Sequence, residues 1–377
     1  MALPKPSEAG KYVLIHIRRD NSSLYKDLLT TEIDMSLDGG LGDVTNKNQV
    51  VLQDTFSSFL TAVRHGNGRD WWVMLHKNRS NRSLCYLLDP AGLHAPIVQH
   101  LGPIWNYQDW AGQPVFSPDG SRYARANPYN GLSIFDFDRC AGTLSNPLFI
   151  SLDADSAAAC GVAFSPNSRL LYLSTGTKLF QFDMQASDIA ASRQLIGVYD
   201  GFASPFPATF YQQRLAPDGK IYMAATNSVK VLHVINYPDL PGLNCDFLQH
   251  EIQLPANMYV GLPNFPHFRL YDLPGSPCDT LGIDGPTTSA PTPPAPDLLH
   301  LQPNPATDEV LVSFHQPMEG RWQLVAPSGQ VVRAGLWSVT QTTQRIDISH
   351  LSAGVYFFRL VAESGRVVSM RKVVVVR

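Results

Sequence analysis

The chain has no run of eighteen apolar residues anywhere in its 377 positions, so no helix of it is expected to span a membrane. Charge is scarce as well: 16% of residues are Asp, Glu, Lys or Arg, and the formal net charge is −3. That balance excludes the basic face that nucleic acid requires. Only five cysteines occur, none in a Cys-x-x-Cys pair, and the eleven histidines include no His-Glu-x-x-His, so a zinc site is not expected. There is no Gly-x-Ser-x-Gly elbow, no P-loop and no sialidase Asp-box. Acidic residues are plentiful, but no spacing singles out the two carboxylates that glycoside hydrolysis needs. No catalytic residue, metal or cofactor is therefore assigned. The first ten residues, Met1 to Gly10, lack the apolar stretch of a signal peptide.

Turn formers are abundant, 27 Gly and 29 Pro beside a 44% hydrophobic content, which suits an all-β fold. Three similar phrases punctuate the middle: Val115-Phe-Ser-Pro-Asp-Gly-Ser-Arg-Tyr123, Val162-Ala-Phe-Ser-Pro-Asn-Ser-Arg-Leu-Leu-Tyr172 and Arg214-Leu-Ala-Pro-Asp-Gly-Lys-Ile-Tyr222. Ser117, Ser165 and Ala216 stand 48 and 51 residues apart, one supersecondary unit per period. In each, an apolar strand enters a turn where Pro presets φ and Gly accepts a positive φ, and an aromatic strand leaves it. Third strands follow at Ser133–Asp138 and Lys178–Asp183, then a weaker fourth. Four strands per repeat, arrayed radially, make a β-propeller blade.

The grammar extends backward. Phe59–Arg64, Trp71–Leu75 and Ser83–Leu88 read as another blade. Tyr12–Ile17, Leu28–Met35 and Val50–Gln53 read as the last three strands of a fifth, with Ala2 and Leu3 as a stub of its first. Tyr259–Phe265 is expected as a lone strand that completes this blade or a missing one, since propellers hide their sheet edges by mixing strands from both ends.

Several clusters invite a chemical reading. His65, Arg69 and Asp70 crowd one turn beside Trp71 and Trp72, resembling a sugar-binding or acid–base group, yet Asn67-Gly68 is a strong hairpin signal that favours a turn. Asp34, Asp38 and Asp43 lack the ligand spacing of a calcium loop. Asp119 and Asp218 fit turn geometry.

Residues 284–297 hold five Pro and three Thr and are expected to form an extended spacer. From Leu298 to Arg377 about seven short strands are expected, the count of a small β-sandwich, with no catalytic constellation. This stretch contains Leu301-Gln-Pro-Asn-Pro305, then Ser328-Gly329-Gln330, then Ile346-Asp-Ile-Ser-His-Leu351 leading into Gly354-Val-Tyr356, and ends Lys372-Val-Val-Val-Val-Arg377. It resembles the C-terminal sorting domain of proteins exported by the type IX secretion system of Bacteroidota. By that resemblance Pro303, Asn304, Pro305, Gly329, Asp347, Leu351, Gly354, Tyr356, Lys372 and Arg377 carry the sorting motif, and the secretion machinery is a partner. Gln302 stands where the family usually has an aromatic. Asp34–Asp43, His65–Trp72, Phe135–Cys140, Leu215–Tyr222 and Gly261–Phe265 resemble propeller-like proteins of the same phylum, a match over most of residues 5–283. Such proteins usually have further N-terminal sequence including a signal peptide, so about one blade and that signal are expected to precede this sequence.

Export implies an oxidising compartment, where five cysteines allow two disulfides. Cys140–Cys160 and Cys245–Cys278 are the expected pairs, with Cys85 left as a thiol. The expected architecture is an all-β chain. Residues 1–283 form a β-propeller with about five blades of an original six or seven, 284–297 a linker, and 298–377 a seven-stranded sandwich. The expected function is that of a secreted or surface-displayed protein whose sandwich directs export and whose propeller binds a protein or glycan. The alternative is a secreted hydrolase acting on glycans in the propeller channel.

Overall fold

The computed structural model describes residues 1–19, 24–105, 112–152, 159–258, 261–283, 299–314, 320–326, 330–338, 343–361 and 367–377. The chain divides into two compact units, Met1–Thr287 and Thr288–Arg377. The first contains five antiparallel sheets in strict sequence order, the blades of a β-propeller.

The first blade is Ala2–Pro4, Lys11–Arg19, Tyr25–Asp34 and Asp43–Phe56. The second is Thr61–Arg64, Trp71–His76 and Arg82–Asp89, with a split outer strand, Gly92–Leu93 and Ile97–His100, both pieces pairing Arg82–Asp89. The third runs from Gln113 to Ile150, the fourth from Gly161 to Val198 and the fifth from Phe210 to Met258, four strands each.

The repeated phrase folds the same way three times. Ser117 N–H donates to the Arg122 carbonyl at 2.9 Å, Ser165 to Leu170 at 2.8 Å and Ala216 to Lys220 at 2.9 Å, each closing the turn between the first and second strands. The turn's fourth position has positive φ: Gly120 at 73°, Ser168 at 63° and Gly219 at 83°. At Gly120 a Cβ would also lie 2.7 Å from Arg139 Cδ and 2.9 Å from Leu270, so glycine is required there by both angle and space. Asp119 accepts from Ser121 N–H at 3.0 Å, and Asp218 from Lys220 N–H at 3.1 Å. Both carboxylates serve their turns.

Successive side chains along the strands point to opposite faces, so a blade's two faces pack against its two neighbours. Leu3, Val13, Ile15, Trp71 and Val73 join the first blade to the second, and Trp72, Phe116, Tyr123 and Phe137 the second to the third. Ile134, Val162, Phe164 and Phe182 link the third to the fourth, and Tyr172, Phe210, Ile221 and Met223 the fourth to the fifth. Each such side chain, fully buried, contributes about 2 kcal/mol of transfer free energy.

Closure differs from the mixed-strand arrangement expected. Leu3 pairs with Val13, so the first blade takes its own innermost strand from the N-terminal residues. Gly261–Phe265 contains no strand, and Tyr259 and Val260 lie outside the described residues. Gly261 sits at φ 88°, and Pro263 and Pro266 have no N–H to donate to a ladder. Instead residues 261–273 form an irregular strap touching the fifth, second and third blades. Arg269 donates to the Pro217 carbonyl, Asn264 to that of Leu60, and Leu273 N–H to that of Gly66. Phe268 meets Trp71 edge-on at 5.8 Å.

The disulfide pairing also departs from expectation. One bond joins Cys140 to Cys278, while Cys85, Cys160 and Cys245 are buried thiols. Cys140 and Cys160 stand beyond opposite ends of the eight-residue strand Thr143–Ile150, which at about 3.3 Å per residue spans roughly 25 Å. A disulfide bridges Cα atoms less than about 7 Å apart. Cys245 is packed among residues of the fourth and fifth blades, such as Tyr172 and Phe210. The strap delivers Cys278 to the second and third blades instead, against Gly66 and Cys140.

Two core histidines are held neutral. His76 shares a 2.7 Å hydrogen bond with the Tyr123 hydroxyl, and His233 Nδ1 accepts from His250 N–H at 3.1 Å. Burial pushes His76 well below its usual range and His233 down to about 4. A His whose folded pKa is lowered stabilises the fold above its unfolded pKa, and that stability is lost as pH falls toward the folded one. For His233 the interval from 6.5 to about 4 corresponds to about 3 kcal/mol. Urea unfolding free energy is therefore expected to fall steadily between pH 6.5 and 4. His233→Gln should flatten that slope, and an unchanged slope would show that His233 does not carry it.

The second unit is a sandwich of two antiparallel sheets, described by itself. Leu299–Gln302, Glu309–Phe314 and Thr343–Asp347 form one sheet. Val331–Trp337, Gly320–Val325, Gly354–Val361 and Val367–Val375 form the other, in that order. All seven strands expected from the sequence form. Between the sheets lie Val310, Val312, Trp322, Leu324, Trp337, Phe358 and Val373, each under 5% exposed.

Candidate functional site

In the sandwich, several of the residues expected to carry the sorting motif lie at or beside the terminal strand. Val367–Val375 pairs on one side with Gly354–Val361, and its other edge would be open. The Asn304 side chain covers it in the manner of a backbone: its amide donates to the Lys372 carbonyl at 2.7 Å and its oxygen accepts from Val374 N–H at 2.8 Å. Ala306 continues the pairing, donating to Val374 O at 2.8 Å and accepting from Val376 N–H at 2.9 Å. Pro303 and Pro305 flank Asn304 on the exposed side.

Arg377 closes the same end. Its guanidinium donates to the carbonyls of Ile348 at 2.8 Å and Ser349 at 2.7 Å, and also to those of Leu351 and Thr307. Asp347 organises the turn that presents them, accepting from the Ser349 hydroxyl at 2.6 Å and its N–H at 2.9 Å. Those bonds, with Arg333 behind them, hold its carboxyl down at about 2. Leu351 is buried in the sandwich core, as is Tyr356, whose hydroxyl donates to the Ser352 carbonyl at 3.1 Å. Gly354 is exposed in extended backbone, and the Lys372 side chain points to solvent. Gly329 lies outside the described residues. Asn304, the Lys372 backbone, Asp347, Leu351 and Arg377 thus belong to one terminal clasp, although they are spread over more than seventy residues of sequence.

In the propeller, the cluster at His65 is occupied by its own turn. His65 Nδ1 accepts from Asn67 N–H at 3.0 Å, and Asp70 takes both Asn67 Nδ2 at 2.7 Å and Arg69 Nε at 2.7 Å. Trp72 Nε1 donates to the Arg139 carbonyl at 2.7 Å. These groups stabilise the hairpin and its contact with the third blade. Asp34 accepts from Ser36 and Asp43 from Val44, each a local bond.

Sequence reasoning pointed to the propeller channel for the hydrolase alternative but named none of the residues that line it. The innermost strands of the second to fifth blades and the strap enclose a narrow cleft of about 10 Å³, room for little more than one water. Thr61, Phe116, Phe164, Gln213, Arg214 and His267 are among its walls, and no Asp or Glu is among the described residues lining it. Arg214 Nη2 donates to Asn264 Oδ1 at 2.9 Å, while its Nε has no acceptor. Burial lowers the guanidinium to about 10. His267 is pushed to about 4, by burial first and then by the Arg214 charge. Buried amides fasten the strands behind this cleft: Gln113 Nε2 donates to Gln213 O at 2.6 Å, and Gln213 Nε2 to Gly161 O at 3.1 Å. The one sequence signal for the cleft was the position of Arg214 at the head of a repeated phrase.

Comparison with known proteins bears on the two units differently. No curated protein matches the chain. Among solved structures, a protein from Lactobacillus plantarum is 16% identical at a TM-score of 0.42, covering 61% of this chain and 66% of its own. PorZ, described as an essential surface component of the type-IX secretion system of Porphyromonas gingivalis, is 11% identical at a TM-score of 0.37, covering 98% of this chain and 58% of its own. A functionally unknown protein from Desulfotomaculum acetoxidans is 14% identical at 0.36, covering 68% and 83%. The chain thus spans less than two thirds of the length of the first two. Residues 300–376 match the family described as secretion system C-terminal sorting domain. The chain therefore carries a type IX secretion sorting domain at its C-terminal end, which marks it as a secreted or outer-membrane surface protein.

Proposed function

We propose that the propeller is the cargo and acts as a binding module for a protein or glycan, while the sandwich is its export address. The observation that carries this reading is the terminal clasp. A receptor can read an address only if it is folded and exposed, and here Asn304, Arg377 and the terminal strand build one surface from both ends of the domain. Pro303, Asn304, Pro305, Asp347, Lys372 and Arg377 are the residues we assign to recognition, with Leu351 and Tyr356 supporting them from the core.

Binding is favoured over glycan hydrolysis by the cleft chemistry. A glycosidase needs two carboxylates flanking the bond. Among the described residues the cleft is lined instead by aromatic and apolar side chains with Thr61, Gln213, Arg214 and a neutral His267.

The export reading is tested by fusing residues 298–377 behind a Sec signal and an unrelated reporter, in a bacterium carrying the type IX machinery. The reporter is expected in the medium or on the cell surface. Retention in the periplasm, with the sandwich folded, would rule out the domain as a sufficient signal.

A further inference from the structure

We propose that His233 is an acid-sensitive latch on the connection between the fourth and fifth blades. This goes beyond the binding reading and depends neither on it nor on export. The connection runs from the end of Gln194–Val198 to the start of Phe210–Leu215. It is gripped by a bulge in the outer strand of the fifth blade, Phe247–Met258. On the neighbouring strand Val229–Ile235, Leu232 pairs with Ile252 and Val234 with Leu248, so residues 249–251 stand opposite His233 alone. His250, at the centre of that bulge, has a φ of 43°.

A bulge leaves a backbone N–H out of the ladder, and an N–H away from water needs an acceptor. His233 Nδ1 supplies it, accepting from His250 N–H at 3.1 Å. The bulge, so held, aims two side chains at the connection. Gln249 accepts from Asp200 N–H at 3.2 Å and donates to the Val198 carbonyl at 2.9 Å. The His250 ring lies over that of Phe202 with centroids 4.1 Å apart, and its Nε2 is 2.9 Å from Asp200 Oδ2. All of these contacts depend on a bulge that one imidazole nitrogen holds in place.

An imidazole that gains a proton has two N–H donors and no acceptor. Nδ1–H would then face His250 N–H, donor against donor, in a side chain with no exposure to water. The rings of Phe210 at 5.0 Å and Phe247 at 6.2 Å offer the new charge no oxygen. Among the described residues the titratable groups acting on His233 are His250, which opposes its protonation, and Asp200, which favours it. The Ala208 carbonyl also favours the charged form, yet Nε2 closes no hydrogen bond. Burial works against the charge of Asp200, but the Phe202 N–H and His250 hold its carboxyl below the usual range. The acid step therefore falls on His233, and displacing the bulge relieves it, which frees Asp200 and Phe202. Because the His233 pKa is lowered in the fold, the latch is closed above pH 6.5 and opens as pH falls toward about 4.

The test is hydrogen–deuterium exchange of the full chain across that interval, corrected for the intrinsic pH dependence of exchange. Protection of residues 199–209 and 247–252 should fall roughly a hundredfold between pH 6.5 and about 4. Arg122–Asn127 and Leu170–Ser174, in the third and fourth blades, should keep theirs. His233→Asn, whose side-chain oxygen can accept from His250 N–H without titrating, should remove most of the fall. Asp200→Asn should leave it in place. Equal loss of protection in all four segments would mean ordinary unfolding and overturn the proposal. So would constant protection of 199–209 in the wild-type chain, even if His233→Asn fails to fold. An undiminished fall in a folded His233→Asn variant, or one that Asp200→Asn abolishes, would overturn it as well.

Discussion

Removing only Lys372 to Arg377 is expected to leave the protein in the periplasm. The lost residues include Val373 and Val375, which are 0% and 2% exposed and together account for roughly 3 to 5 kcal/mol of burial. They also include Lys372 O and Val374 N, the two groups that hold Asn304. Arg377, with its bonds to Ile348, Ser349 and Leu351, goes with them. Such a loss is comparable to the whole stability of a small domain. Cell fractionation with detection of the propeller measures the outcome, and normal amounts in the medium or on the surface would mean the terminal strand is dispensable for export. Asn304→Ala separates recognition from folding. It deletes two hydrogen bonds while keeping every terminal residue, so it should lower export with only about 1–3 kcal/mol of destabilisation.

Loss of the Cys140–Cys278 bond should be the largest single change in propeller stability. The cysteines are 138 residues apart in sequence, and closing a loop of that length in the unfolded chain is worth roughly 4–5 kcal/mol in the chain-entropy account. The bond also pins the strap: Cys278 packs against Gly66, and Leu273 N–H donates to Gly66 O at 2.7 Å. A Cys140→Ser, Cys278→Ser double variant should therefore unfold at much lower denaturant concentration. Reductant should produce the same change in the wild-type chain and none in the variant. A double variant within about 0.5 kcal/mol of wild type would show that the strap is held by its other contacts. Because Cys85, Cys160 and Cys245 are buried thiols, reductant acts on this one bond.

The blades and the sandwich strands were legible in the sequence because their signals are local. Pro-Asp-Gly specifies a turn through φ alone, so the triplets at Pro118 and Pro217 announce hairpins whatever surrounds them. Pro166-Asn167-Ser168 was readable by analogy, since Ser168 adopts the angle that glycine takes in the other two. Alternation within Gly354–Val361 likewise needs only the pleat of one strand. The sorting domain was legible as an ordered set of short phrases.

Only the tertiary structure decided which of these residues meet. Cys140 pairs with Cys278 rather than Cys160 because the strand Thr143–Ile150 holds Cys140 and Cys160 apart while the strap returns across the ring. Pro263 and Pro266 have no N–H to give a ladder, which is why Gly261–Phe265 forms no strand, but nothing local says where such a segment goes. Asn304 reaches Lys372 across 68 positions, and Arg214 reaches Asn264 across 50. Such contacts follow from radial packing of blades and from sheets folding face to face, which set distances between residues remote in sequence. Turn chemistry and strand alternation act over a few residues and contain no information about those distances.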